Sequence, residues 1–208
     1  IYGSLNSWNY YFKSINQYTL KEVYESKNVI FTDNFFAKAM LTSYDMSAKK
    51  EFSTIIKKYI FIKSNIQNEI NFYKKKYFRK SDKVLGVHFR GTTYKVARGH
   101  AFPIPKKLMI KNIDNLINKF NYNKIFIVTE EENYLDHLKE HYKEKLIFLD
   151  FFRTSKKDAF FCYPRQNHRY KLGKEILIET FLLSCCTGMT FVKSNVSSAA
   201  IAFSKKKQ

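Results

Sequence analysis

The chain has 208 residues, of which 37 are Lys or Arg and 18 Asp or Glu, giving a formal net charge of +19; 45% are hydrophobic and 17% aromatic. That balance excludes disorder as the dominant state and supplies a packed core for one domain or one and a half. Three cysteines, Cys162, Cys185 and Cys186, are too few for a disulfide framework and are expected as buried reduced thiols, and no apolar run approaches the roughly 18 to 20 residues of a membrane span.

In chain order, the first 47 residues are aromatic and irregular, with Trp8, Tyr10, Tyr11 and Phe12 close together and a candidate strand over 28–32. The chain starts with Ile1 and has no signal-peptide pattern, so a truncated N-terminus is expected. From residue 47 the period becomes helical: Phe52, Ile55, Ile56, Tyr59, Ile62, Ile66, Ile70 and Tyr73 recur at spacings of three and four, as one long helix or two abutting ones. Lysines 49, 50, 57, 58, 74, 75 and 76 occupy the other, solvated face.

The pattern then changes. Short apolar runs at 84–89, 124–129, 146–150 and 189–192 predict buried strands. Helical segments over 105–118, 131–141, 173–186 and from 194 onward alternate with them, after a basic and aromatic loop at 152–171. Strands alternating with helices predict an α/β fold, a Rossmann-like parallel sheet covered on both faces, at 81–208, after a partial N-terminal region with the long helical segment at 1–80.

Ligands of such sheets sit beyond the carboxyl ends of the strands. There the first strand places His88 and Arg90 two residues apart, on one side of an extended chain, followed by Gly91. An arginine at that edge can grip a phosphate with a bidentate fork, and glycine permits close backbone approach. The plainer alternative makes Arg90 a surface cation and His88 a core residue. After the fourth strand, Ser194, Asn195 and Val196 open a helix whose first-turn N–H groups form an anion site or are simply capped. Glu179 is the one acid in the apolar segment 176–186, and it either pairs locally or accepts hydrogen bonds from a ligand.

Other chemistries lose their main support. No P-loop, dinucleotide fingerprint, nucleophile elbow or RNP-like segment occurs, and His137 with His141 lacks the H-E-x-x-H pattern, so no metal site is assigned.

VLGVHFRGT at 84–92, the following Phe102-Pro103-Ile104, IFIVTE at 125–130 and EILIETFLLSCCTGMTFVKSNVSSAA at 175–200 stand in the order and approximate spacing of three motifs. Together they resemble the fucosyltransferase superfamily, which comprises α1,6-, nodulation, α1,2- and protein O-fucosyltransferases. NSWNYYF at 6–12 is similar to the segment before the donor half of bacterial members. The resemblance covers about 120 residues and implies the C-terminal donor domain of a GT-B glycosyltransferase that moves fucose from GDP-fucose to a glycan hydroxyl with inversion and without metal or cofactor. By position, Arg90 would grip the β-phosphate and serve catalysis, His88 would contact guanine or its ribose, Glu179 would read the guanine edge, and Ser194, with Asn195 and Val196 beside it, would bind phosphate.

Three departures accompany it: Gly91 stands where the family commonly has a second arginine, Thr93 where an acid commonly follows, and Arg98 where the α1,6 branch has an acid that serves as base. His100 is the remaining candidate base. The implied partners are GDP-fucose, a glycan or lipid-linked acceptor of surface-polysaccharide synthesis, and peripheral contact with an anionic membrane from the cytoplasm. A non-catalytic GDP-sugar module is the alternative, and a basic nucleic-acid-binding protein has only the net charge in its favour.

Overall fold

In the computed structural model, residues 7–28, 46–91, 102–155 and 158–204 are described. The candidate strand at 28–32 falls beyond its first residue outside them, as do Thr92, Thr93, Arg98 and His100. Four parallel strands form one sheet: β1 (Val84–Phe89), β2 (Lys124–Thr129), β3 (Leu146–Ile147) and β4 (Gly188–Phe191), in the order β3-β2-β1-β4. Leu85 pairs with Ile125 on one side of β1 and with Gly188 on the other.

The strands read as continuous apolar runs because both faces are covered. Alternate residues go to opposite layers. Val84, Phe126, Val128 and Ile147 face one apolar cluster, and Leu85, Val87, Phe89, Ile125 and Ile127 face the other. The first layer is closed by α3 (Ser64–Tyr77), α6 (His168–Cys185) and α7 (Asn195–Phe203), which follow α1 (Leu20–Glu25) and α2 (Met46–Tyr59). Helices α4 (Lys106–Phe120) and α5 (Glu132–Tyr142) close the second through Met109, Ile113, Leu135 and Leu138.

The long periodic stretch is two helices. The first helix ends at Tyr59, and Ile62 forms an antiparallel bridge with Phe12, supported by Lys13 N–H donating to the Phe61 carbonyl (2.7 Å) and Lys63 N–H to that of Tyr11 (3.0 Å). Beyond the break Ile66 and Ile70 enter the sheet's core, whereas Ile55 and Tyr59 are exposed. Tyr11 stacks on Tyr170 at 5.6 Å, and its hydroxyl donates to the Tyr170 carbonyl (3.2 Å). A Cβ at Gly173 would collide with the Tyr11 ring, so this mid-helical glycine makes room for the N-terminal segment.

Most boundaries fall within two residues of expectation, and two differ by three or more. Strand pairing stops at Ile147 rather than Asp150, although Leu149 stays buried and continues the alternation. Helix α6 begins at His168, five residues before Gly173, because side chains of the preceding loop hold its first turns. All three cysteines are free, but only Cys186 is fully buried; Cys162 and Cys185 are partly exposed. Among the described residues no helix is long and apolar enough to cross a membrane.

Candidate functional site

Beyond the carboxyl ends of β1 and β2, on the α6–α7 side of the sheet, lies a cavity of about 260 Å³. Its wall carries His88, Arg90, Glu130, Arg153, Glu175 and Glu179 as polar groups, and Val128, Phe151, Phe152, Phe160, Ile176 and Val196 as apolar ones. A few convergent polar groups on an apolar wall are the usual make-up of a small-molecule site. Four residues singled out from sequence, His88, Arg90, Glu179 and Val196, therefore meet in one place. Gly91, Ser194 and Asn195 stand next to it without forming its wall.

His88, the only polar residue of β1, is 3% exposed. Burial, aided by the charge of Arg90, pushes its imidazole down to about 3, so it is neutral at physiological pH and offers hydrogen bonds rather than charge. Its Nδ1 lies 3.5 Å from Oγ of Ser194, joining β1 to the start of α7. Ser194 also caps that helix: its Oγ accepts the Ser197 N–H at 3.2 Å, and the Ser197 hydroxyl oxygen accepts the Ser194 N–H at 3.0 Å. Ordinary capping, one of the two readings of this serine, is thus realised. Asn195 is exposed.

Arg90 keeps a quarter of its side chain exposed, and its Nε lies 3.9 Å from Oε1 of Glu130. The same oxygen accepts the Gly91 N–H at 2.9 Å, so one carboxyl ties the loop after β1 to the end of β2. Burial raises the Glu130 carboxyl above its usual range, against the opposing pull of Arg90 and of backbone N–H donors. The close approach that Gly91 permits is to Glu131: a Cβ there would stand 2.8 Å from Glu131 Cβ and 2.6 Å from Oε2. With this crowding, any side chain here, arginine included, would require Glu131 to move.

Gly91→Ala is accordingly expected to destabilise the fold by about 1 to 3 kcal/mol, the usual range for overpacking. Urea unfolding measures it, and a variant as stable as the unmodified protein would show that Glu131 gives way freely.

Deeper in the cavity, Glu179 is 5% exposed and pairs through Oε1 with Nη2 of Arg153 at 3.2 Å. Burial outweighs that attraction, and with Glu175 and Glu130 nearby the carboxyl is pushed up to about 8. Local pairing of Glu179 is therefore present, and it coexists with a place in the cavity wall. Arg153 further donates to the carbonyls of Thr129 (3.1 Å), Leu149 (2.8 Å) and Phe151 (2.9 Å), fastening the ends of β2 and β3 together. One turn before Glu179, Glu175 receives a bidentate fork from Arg165, both bonds 2.6 Å. Arg165 Nε donates to His168 Nδ1 (3.2 Å), which leaves His168 Nε2–H to donate to the Ala159 carbonyl (2.9 Å). This network carries α6 beyond its expected start. Sequence reasoning missed Glu130, Arg153, Arg165 and Glu175; only Glu130, in the tandem acids after an apolar strand, had a local signal. Among the described residues no group of three His, Cys, Asp or Glu side chains is placed to hold a metal ion.

No protein-family profile and no curated protein matches the chain. Among solved structures it is similar to NodZ, an α1,6-fucosyltransferase co-crystallized with GDP, with a TM-score of 0.52 and 17% identity over 75% of this chain and 46% of that one. It is also similar to the selenomethionine form of fucosyltransferase NodZ from Bradyrhizobium, with a TM-score of 0.50 and 18% identity over 75% and 46% of the two chains. The chain thus spans just under half the length of the fucosyltransferases it matches. At this identity the likeness is one of fold: the expected Rossmann-like α/β parallel sheet is found, and it is shared with just under half of the fucosyltransferase NodZ.

Proposed function

We propose that the cavity binds GDP-fucose and that the chain supplies the donor half of a fucosyl transfer to a glycan or lipid-linked hydroxyl. The carrying observation is convergence: His88, Arg90, Glu179 and Val196, drawn from β1, α6 and α7, line one cavity at the carboxyl edge of a sheet shared in fold with NodZ. In this reading Arg90 meets the diphosphate and the first-turn amides of α7 add partial positive charge, in place of a metal. Neutral His88 contacts the ribose or base, and Glu179 accepts from guanine N–H groups. The acceptor oxygen bonds to C1 of fucose from the face opposite the departing GDP, which takes the electron pair of the broken C1–O bond, and the acceptor proton passes to a base outside these assignments.

The excess of 19 positive charges suits a diphosphate donor and peripheral contact with an anionic membrane on the cytoplasmic side. A second reading, GDP-sugar binding without transfer, is favoured by Gly91, whose packing on Glu131 leaves Arg90 without an adjacent second arginine.

Calorimetric titration of the 208-residue chain with GDP is expected to show binding that EDTA leaves unchanged, and GDP-fucose turnover with glycan acceptors separates the two readings. Failure to bind GDP removes both, and a divalent ion required for binding removes the metal-free arrangement.

A further inference from the structure

The Arg153–Glu179 pair is built in one direction only. Three donor bonds from Arg153 go to the carbonyls of Thr129, Leu149 and Phe151, and the fourth goes to Oε1 of Glu179. The arginine is therefore fixed by backbone and its own side chain is 6% exposed. Oε2 of Glu179 makes no hydrogen bond with any described residue, and both side chains belong to the cavity wall. We infer that Arg153 is a specificity-positioning residue: it anchors Glu179 through Oε1 and supplies the counter-charge with which Oε2, as part of a carboxylate, accepts N–H donors of a purine, so that guanine is taken in preference to adenine. This rests on the donor-site reading above.

The selectivity follows from hydrogen-bond patterns. Guanine presents N1–H and an exocyclic amine, two donors that suit a carboxylate. Adenine presents an acceptor at N1, which faces a carboxylate oxygen unfavourably and a protonated carboxyl favourably. The charge on Glu179 thus decides the base. The groups facing it are Arg153, which favours ionisation, Glu175 on its own helix and Glu130 after β2, which oppose it, with neutral His88 and Arg90 across the cavity.

The test is calorimetric titration of the whole chain with GDP and with ADP from pH 6 to 9. The GDP-over-ADP preference is expected to rise with pH as Glu179 ionises, to about tenfold or more. Arg153→Gln should displace that rise to higher pH, because the counter-charge is gone, whereas a purely structural role for Arg153 would leave the pH dependence in place. Glu179→Gln should flatten the ratio. GDP binding with a preference that does not change with pH in the unmodified protein overturns the inference while sparing the donor site; absence of GDP binding overturns both. Should Arg153→Gln fail to fold, the pH series on the unmodified protein and on Glu179→Gln decides the matter.

Discussion

Arg90→Lys is expected to lower turnover of GDP-fucose by about 10²- to 10³-fold, the range for loss of one preorganised charge-stabilising donor. Negative charge builds on the departing diphosphate as the C1–O bond breaks. A fixed guanidinium at the carboxyl end of β1 gains more from that charge in the transition state than from the bound donor, and this difference raises kcat. Lysine retains the charge and loses the planar fork, so the variant should be severely impaired. Stability should hardly change, because a quarter of the side chain is already solvated and Lys keeps the positive charge beside Glu130. Turnover within a few-fold of the unmodified protein, or unfolding of Arg90→Ala, would make Arg90 a structural cation.

The second large effect is in stability against pH. His88 is held near 3 instead of 6.5, so the unfolded chain binds more protons than the native one between those values and stability falls with acidification through that window. Glu179 is raised from 4.5 to about 8, so the native protein binds more protons there and stability falls as pH rises. The two oppose each other between 4.5 and 6.5, giving a flat maximum. On either side the slope should approach about 1.4 kcal/mol per pH unit. Glu130, raised by burial, acts in the same sense as Glu179. Urea unfolding at fixed pH values tests this: His88→Gln should lose the acid limb and Glu179→Gln the alkaline one. Stability that climbs steadily from pH 4.5 to 8 would contradict the Glu179 assignment, and stability that does not fall on acidification from pH 4.5 to 3 would contradict that of His88.

The sheet was legible because a strand buried on both faces must be apolar at every position, and 84–89 and 124–129 are so with few exceptions. The third strand was read too long because Phe148 and Leu149 stay apolar for packing after pairing has ended. His88 and Arg90 were legible through their place after such a run. Glu179 stood out as a lone acid in an apolar helix. Its partner did not, because nothing local in Phe152-Arg153-Thr154 shows that the arginine reaches a helix 26 positions on. The start of α6 was misplaced for a similar reason: Gly173 resembles a helix boundary, but Tyr11, far away in sequence, fills the space its missing side chain leaves.

The strand order has a consequence for how the molecule is made. β1 is central, yet its two neighbours arrive at different times: β2 ends at Thr129, and β4 ends at Phe191. At about 5 to 20 residues per second of synthesis, one edge of β1 waits roughly 3 to 12 s for its partner. During that interval a strand apolar on both faces shows an open row of backbone N–H and C=O groups, the arrangement most prone to pairing with another chain. The nascent protein is thus a natural client for a chaperone until α7 docks. A chain stopped before Gly188 should aggregate instead of folding to a smaller version of itself. His88 and Ser194, 106 positions apart, meet only once α7 has docked, so the cavity cannot take shape before that step.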